Sequence, residues 1–592
     1  MILIKQGKSS DLASAEIRLF LFTLIDIFYG SMLVINFRKW WVFTFIFLLF
    51  HINAFSQVLA PGTAILEEFS RRQQVIDSEE TAEKEVLSIR PQITAEIGSK
   101  NKSESKRSHS EFSILPLVSN QIFNGQRPYG WGDFGIPPGR GFQQYLSGGI
   151  FARLGFLNFQ LQPEFVFSQD KPFKGFPESF SPAVKRARFH YWNNDDTPET
   201  FSDGGYNRFW WGQSSFTASF GAFEIGVSSR SVWWGPGQWS SLTFSNNAES
   251  FPYLTLNTIK PAKTPIGNFE GQVLVGRLEN SGREASQIPQ LNDRYFLPFE
   301  GDWRYLNGFM ISYQPKWVPG FFLGFLRTFQ QYNENRGDKF RDYFPIFDAF
   351  QKKNFFEDGN TLTFDNEARD QQAVIFFRLV NKAANAEVYA EYGRRDHSYD
   401  WREAVMNPEH ARAYLMGFQK LFSLTKENKF FQIRGEVTQH QESVNRYIRY
   451  EGLGGRTSWA THYQVRGFVN RGQSLGTGIG TGSNSQTLEF SVVEEFDKLG
   501  IIVERIANHQ DFYYRAFGQQ QEVQPWVDLS AGIIFNRRWD NVLLGSKLQL
   551  VNGKNYQWQS AGNSTPEFPA GKHLLSFHGN LHLVYLWNFS NN

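Results

Sequence analysis

Apolar and polar residues alternate strictly along several stretches of this chain, and this alternation restricts the fold more than any other feature. In LNFQLQPEFVFS, residues 157–168, Leu and Phe share one face with Pro163, and Asn, Gln, Glu and Ser fall on the other. In FFQIRGEVT, residues 430–438, Arg434 and Glu436 lie opposite the Phe, Ile and Val side chains. A period of two predicts β-strands, and charges on the second face argue against a sheet buried on both sides. Proline cannot donate to a strand ladder, so Pro163 predicts a bulge or a strand end.

The alternation is longest near the C-terminus, where apolar and polar residues take turns over residues 575–589. That length is enough to cross a membrane, for which about 9–11 tilted residues suffice. Phe589 resembles the terminal aromatic by which outer-membrane barrels are recognised for assembly, although three further residues follow it.

The amino-acid composition favours a fold whose apolar residues are spread along alternating strands rather than gathered in long apolar runs. Aromatic residues make up 17% of the 592 residues, yet no apolar run after Gln57 is long enough for a membrane helix. We predict an all-β fold, a transmembrane outer-membrane antiparallel β-barrel over residues 145–589, with about 18 strands at roughly 25 residues each. A soluble sandwich or propeller is the alternative, but it requires turns every 8–12 residues. Residues 169–206 and 328–369 instead predict long extracellular loops.

Residues 32–56 contain a basic pair, an apolar run and small residues, in the order typical of a secretory signal peptide. We expect cleavage after Ser56 and a true start at Met32, with residues 1–56 removed. A membrane anchor is the alternative, but the apolar run is shorter than the about 20 residues that a spanning helix needs. A net charge of +2 offers no broad basic field for nucleic acid, and the absence of cysteine excludes disulfides and thiolate metal sites.

Residues 57–144 differ from the predicted barrel. The stretch AILEEFSRRQQVI repeats apolar residues near helical spacing. We expect a small periplasmic helical segment followed by a linker, with residues 127–145 leading into the first strand.

Residues 233–252, WWGPGQWSSLTFSNNAESFP, combine three tryptophans with proline and glycine, which break regular structure. An alternating strand from Phe223 leads into this stretch. We expect it to end at the membrane boundary, where one tryptophan faces lipid as part of an aromatic girdle and the other faces the lumen. By strict parity Trp233 faces lipid and Trp234 shares the luminal polar face, and a bulge before Gly235 would exchange the two.

The same stretch resembles the signature of the capsule assembly protein Wzi family, which comprises outer-membrane β-barrels that bind capsular polysaccharide at the cell surface. Further segments are similar to members of that family: FSILPL, RPYGWGDFGIPPGRGFQQYL, EVYAEYGRRDHSYD, HARAYLMGF and RGQSLGTGIGTGSNSQ. The resemblance covers roughly residues 60–589, and it implies a protein that holds polymer rather than cutting it.

Sugar rings pack their flat C–H faces on aromatic rings, and their hydroxyls need polar partners. The carbohydrate-binding candidates are therefore Arg230, Trp233, Trp234, Trp239, Asn246 and Asn247. The alternatives are that the tryptophans anchor the interface and pin a loop, and that Asn246 and Asn247 bond backbone in a turn.

Other motifs carry structural interpretations. The glycines of GTGIGTGSN, from Gly476, lack the lysine of a phosphate loop and predict a tight loop or a close backbone approach. We expect three luminal glutamates to pair with one arginine and to brace the barrel interior: Glu387, Glu391, Glu436 and Arg434. The acidic stretch from Asn193 lacks the spacing of a calcium loop and predicts a solvated loop. We predict no metal and no cofactor.

Three functional classes follow. The first is a non-enzymatic outer-membrane receptor that anchors capsular or related exopolysaccharide, with membrane lipid and a periplasmic export protein as further expected partners. The second is a diffusion channel for sugars, which requires an open polar lumen. The third, an outer-membrane hydrolase, lacks a nucleophile and base at telling positions.

Overall fold

A computed structural model describes residues 63–76, 110–347, 368–396, 401–424, 428–443, 457–518 and 523–587. The predicted signal peptide and Phe589 lie outside these residues. Within them, no helix has both the length and the apolar character needed to cross a membrane.

The described chain forms a closed antiparallel barrel of 18 strands. β1 pairs with β2 on one side and with the last strand, β23, on the other, so the sheet has no open edge. The strands are β1 Ser110–Asn124, β2 Gly141–Leu154, β3 Leu157–Leu161, β4 Glu164–Ser168, β5 Tyr206–Trp210, β6 Ser215–Phe220, β7 Phe223–Ser228, β8 Tyr253–Thr258, β9 Ala262–Thr264, β10 Gly267–Leu278, β11 Arg304–Pro315, β12 Phe321–Tyr332, β13 Asp370–Asn381, β14 Ala386–Arg395, β15 Arg412–Ser423, β16 Lys429–Gln439, β17 Val469–Asn470, β18 Gln473–Ser474, β19 Asn484–Glu494, β20 Asp497–Ala507, β21 Val527–Trp539, β22 Val542–Lys554 and β23 Leu574–Tyr585.

Three of the 18 barrel strands are interrupted, and for this reason the strand labels run to β23 although the wall has 18 strands. β3 with β4, β5 with β6, and β8 with β9 each form one strand, and the β17–β18 hairpin stands apart from the wall. The break between β3 and β4 falls at Pro163, as its missing N–H predicts.

The alternation predicted from the sequence is confirmed on the barrel wall. In β23 the side chains of Leu575, Phe577 and Leu581 are exposed, whereas those of His578 and His582, on the opposite face, are buried inside. The same rule places Phe159, Ile375 and Ile533 outside on other strands. A continuous apolar exterior of this kind is the lipid-facing band of an outer-membrane barrel.

The two ends of the barrel differ in their connections. At one end, short turns such as 155–156, 221–222 and 540–541 join the strands, and at the other end the connections are long. Outer-membrane barrels place short turns in the periplasm and long loops outside the cell. The predicted loop 169–206 belongs to the long, extracellular end, and so do residues 333–347 and 368–369 of the predicted loop 328–369, whereas β12 extends to Tyr332.

The predicted barrel boundary at Tyr145 is wrong. β1, Ser110–Asn124, is already a wall strand and pairs with β23, and Tyr145 lies inside β2. Residues 125–140, here called the entry segment, connect β1 to β2 and fold into the lumen rather than leading into the first strand. Phe134 in this segment is buried and stacks on Tyr145 with ring centroids 5.0 Å apart.

The described helices are α1 Ala64–Val75, α2 Pro182–Asp195, α3 Pro289–Tyr295, α4 Phe340–Tyr343, α5 Trp401–Met406 and α6 Gln510–Phe517, with single 3-10 turns at Asn333–Asn335, Pro345–Phe347 and Tyr556–Trp558. α1 confirms the predicted short helix. Its predicted periplasmic position is wrong, because it lies inside the barrel. Glu68 accepts a hydrogen bond from Lys498 Nζ at 2.7 Å, and Arg71 pairs with Glu387 at 2.6 Å. These partners belong to β20 and β14, so the charged face of α1 is satisfied by inward-facing wall residues.

The long connections pack on each other at the extracellular end. α2, α3, α6 and the turn Tyr556–Trp558 share one apolar cluster, here called the cap, in which Phe189, Trp192, Phe512 and Trp558 are buried. Their rings meet edge to face, as with Phe512 and Trp558 at 4.5 Å. The external loops therefore form a packed layer above the barrel.

Candidate functional site

Residues 229–252, here called the plug segment, leave the wall after β7 and cross the lumen before β8 begins. The backbone N–H groups of Gly237 and Leu242 donate to Glu391, at 3.2 and 2.9 Å. Those of Gln238 and Trp239 donate to Glu436, the former at 2.7 Å. Glu391 and Glu436 lie on β14 and β16, so the segment is fixed to a distant part of the wall.

The aromatic-girdle prediction for Trp233 is wrong. Trp233 and Trp234 are both buried, at 7% and 1% exposure, and neither faces lipid. The strand ends at Ser228, so its alternating parity does not continue to the tryptophans. Trp234 does lie inside, where Nε1 donates to Gln272 Oε1 at 2.8 Å and the ring meets Phe244 edge to face.

A glycine makes the inward turn possible. Gly235 has a φ of 117°, a conformation that side chains disfavour, and a Cβ there would lie 2.4 Å from Glu391 Oε1. The absence of a side chain therefore lets the plug backbone approach the carboxylate that holds it.

The predicted bracing by luminal charges is confirmed, although Arg434 forms its ion pairs with Glu68 and Glu489 and not with the three predicted glutamates. Besides Glu391 and Glu436, Glu387 binds Arg71 of α1, and Arg434 pairs with Glu489 and lies 4.5 Å from the Trp239 ring centre. The four predicted residues thus hold segments inside the barrel.

The other candidates have structural partners. Arg230 pairs with Glu224 on β7 and so stays at the wall. Asn246 is 2% exposed. Asn247 donates from Nδ2 to Ser474 O at 2.8 Å and accepts from Gly132 N at 3.0 Å, so its side chain bonds the backbone of two distant segments and not, as predicted, that of its own turn.

The Gly476 stretch confirms the prediction of a close backbone approach. A Cβ on Gly476 would lie 2.1 Å from Leu242 O of the plug segment. Ser245 Oγ donates to Gly476 O at 2.7 Å, and Ser245 N donates to Leu475 O at 2.8 Å. Residues 474–483, here called the glycine loop, therefore lie directly against the plug segment.

Above these layers lies a cavity of about 230 Å³, built from six different connections. Three of these connections are the entry segment with Arg127 and Trp131, α2 with Arg188 and Trp192, and the plug segment with Leu242 and Asn247. The other three follow β16, β20 and β22, and they contribute His440 and Trp459, His509 and Trp526, and Tyr556 and Gln557, respectively. Because these connections belong to the long-loop end, the cavity lies on the extracellular side of the plug. Asn247 is the one of the six predicted site residues that lines it.

The cavity wall carries buried polar atoms without a hydrogen-bond partner among the described residues: Arg188 Nε, Gln372 Oε1, His440 Nε2, Gln473 Nε2, His509 Nδ1 and Gln557 Oε1. Burial lowers the pKa of His440 to about 3 and that of His509 well below its usual value. Both rings are therefore neutral at physiological pH. Unpaired buried groups are costly, which marks this wall as a place where a polar ligand gains hydrogen bonds.

The sequence prediction missed most of the cavity. Trp131 lies in a stretch that resembled the Wzi family, and Arg188 and Trp192 lie in the predicted loop 169–206. Aromatic residues inside a long polar loop were the available signal. Their convergence depends on contacts between distant connections, which a single sequence does not reveal.

The acidic stretch from Asn193 is not a solvated loop. Asp195 and Asp196 are both 3% exposed and accept hydrogen bonds from hydroxyl groups, Asp195 from Thr197 at 2.9 Å. Burial raises the pKa of Asp196 to about 6. In the ranges described, no group of three or more His, Asp or Glu side chains is arranged to hold a metal ion.

The apolar exterior, the closed 18-stranded wall and the long external loops define an outer-membrane β-barrel with an occupied lumen and an aromatic cavity beneath its cap. A family model supports the same class at the level of sequence. It matches residues 126–557, and the chain belongs to the Capsule assembly protein Wzi family.

Among solved structures, the chain is similar to the outer-membrane protein Wzi of Escherichia coli, described as a carbohydrate-binding β-barrel involved in group 1 capsule assembly. The TM-score is 0.52 at 12% identity, with 90% of this chain and 100% of that chain covered. It is also similar to OccAB2 and OccAB4 of Acinetobacter baumannii, at 10% and 7% identity and a TM-score of 0.38, covering 81% and 82% of this chain and 98% and 99% of those chains. A search of curated proteins found no match. At 12% identity, the likeness to Wzi of Escherichia coli shows the fold alone.

Proposed function

We propose that this protein holds capsular or related exopolysaccharide at the cell surface without cutting it, and that the cavity receives part of the polymer. The observation that carries this proposal is the position of the cavity, outside the plug and beneath the cap. Polymer that reaches it from the cell exterior meets a surface already fixed by the barrel wall.

The cavity lining suits sugars. Trp131, Trp192, Trp459 and Trp526 line the same space as the unpartnered amides and imidazoles. Aromatic faces pack on the C–H faces of sugar rings, while the polar atoms replace the water bonds of hydroxyl groups. A volume of about 230 Å³ is below that of most small-ligand pockets, roughly 300 Å³ upward, and so suits one or two sugar units.

The occupied lumen favours anchoring over conduction. α1 lies at the short-turn end of the lumen, and the plug segment crosses it nearer the cavity. The exposed apolar side chains on the outside of the barrel wall support membrane lipid as a second partner. A periplasmic export protein as a third partner stays a prediction.

The test is deletion of the gene, followed by assay of cell-bound and shed polymer. We expect shed polymer to rise at the expense of bound polymer, with total synthesis unchanged, and purified protein to bind the polymer without releasing reducing ends. Unchanged retention would refute the anchoring role and favour the channel alternative. Release of new reducing ends would instead indicate a hydrolase.

A further inference from the structure

One side chain of the cavity carries a positive charge without an ionic partner. Arg188 on α2 is 5% exposed, and it makes no hydrogen bond or ion pair with any described residue. Buried charges are normally paired, because the lost hydration is otherwise uncompensated. The burial also lowers the pKa of Arg188 to about 10.

The position of this guanidinium is fixed by aromatic rings. It lies 4.3 Å from the ring centre of Trp192, 5.4 Å from that of Phe512 and 5.6 Å from that of Trp558. Cation–π contacts of this kind orient the planar group but leave its N–H donors unused. The packing of the cap therefore keeps a donor fork at the cavity wall.

Two carboxyl groups line the same cavity, but neither pairs with Arg188. Asp195 accepts hydrogen bonds from two threonine hydroxyls, and Glu199 accepts from two backbone N–H groups, at 2.6 and 3.2 Å. Burial raises the pKa of both carboxyl groups, and both interact with Arg188 only through space, without an ion-pair contact. The other cavity arginine shows the contrast, because Arg127 Nη2 lies 2.5 Å from Asp528.

We propose that Arg188 binds the carboxylate of an acidic sugar, so that the cavity selects anionic polysaccharide over neutral polysaccharide. This inference rests on the proposed function. A guanidinium presents two parallel N–H donors that match both oxygens of a carboxylate, and a bound carboxylate forms the direct ion pair that no described wall residue makes with Arg188. A hydroxyl accepts a hydrogen bond but does not form an ion pair.

The probe is the surface polysaccharide extracted from cells that carry this gene, in its native form and after chemical reduction of its carboxyl groups. Binding of both forms to the purified full-length protein in detergent is measured by affinity electrophoresis. We expect the native form to bind at least tenfold more tightly. Equal binding of both forms, or a bound polymer without carboxyl groups, would overturn the inference and leave the proposed function intact. Failure of the native polymer to bind would instead refute the proposed function.

Substitutions locate the effect. Arg188→Met is expected to remove the preference for the native form, and Arg188→Lys is expected to retain part of it, since the ammonium keeps the charge but loses the fork. Arg186→Met is the matched control, because Arg186 lies on the same helix and is exposed. Each variant is first checked for the heat-modifiable gel mobility of a folded barrel. A folded Arg188→Met protein that still prefers the native form would overturn the assignment.

Discussion

The contribution of Glu391 to fixing the plug segment can be tested with the variant Glu391→Ala. Glu391 is 1% exposed, and its carboxylate accepts from the N–H groups of Gly237 and Leu242. A hydrogen bond to a buried carboxyl group is worth about 0.5–3 kcal/mol, so the loss of two costs about 1–6 kcal/mol of docking free energy. At about 1.4 kcal/mol per factor of ten, amide exchange in the plug segment is expected to rise roughly 5- to 10⁴-fold.

The assay is hydrogen–deuterium exchange on the full-length protein in detergent, followed by mass spectrometry of peptides that cover residues 233–245. Glu391→Gln keeps one acceptor oxygen and is expected to give a smaller increase. Glu494→Ala is the control, because its side chain is 49% exposed and its one described ion pair, with Lys429, spans 3.5 Å. Unchanged protection of residues 233–245 in a folded Glu391→Ala barrel would refute the reasoning.

Three further predictions follow from single contacts. Gly476→Ala places a methyl group 2.1 Å from the Leu242 carbonyl oxygen of the plug segment and should make the glycine loop more susceptible to limited proteolysis. Gly562→Ala, which has open space around it, should not change the cleavage. Equal protease resistance of the two variants would contradict the contact. Burial raises the pKa of Asp196 from 3.8 to about 6, so its ionisation destabilises the folded cap as the pH rises from about 4 to 6. In thermal melts, Asp196→Asn should therefore raise the melting temperature at pH 7.5 but not at pH 4. A higher melting temperature at both pH values would contradict this. Trp131→Ala should weaken polymer binding about tenfold in affinity electrophoresis, while Trp317→Ala, 67% exposed at a short turn, should leave it unchanged.

The wall of the barrel was predictable because alternation is local. Phe577 and His578 occupy opposite faces by parity alone, and no distant contact is needed to assign them. β1 was not predicted as a strand because its alternation is interrupted, with a register shift between Leu115 and Val118 around Pro116. An interrupted alternation does not stand out from a linker, so the predicted barrel began too late.

The filled lumen was not predictable in the same way. An inward-facing glutamate shows the same alternation whether it faces water or another segment of the chain. Glu387 binds Arg71, which is more than 300 residues away in sequence, and such pairs leave no local signal. For the same reason α1 looked like an ordinary amphipathic helix, although its buried face includes Glu68, Arg71 and Arg72.

The layers inside the barrel give the cavity a rigid floor. Glu391 fixes Leu242 by a backbone hydrogen bond, and Leu242 lines the cavity. Asn247, another floor residue, joins the entry segment to the glycine loop through Gly132 and Ser474. A binding surface supported by strands holds its geometry better than one carried by loops alone. Loosening of the plug segment is therefore expected to weaken polymer retention even when every cavity side chain is intact, and Glu391→Ala cells that retain polymer as wild-type cells do would show that the floor is dispensable.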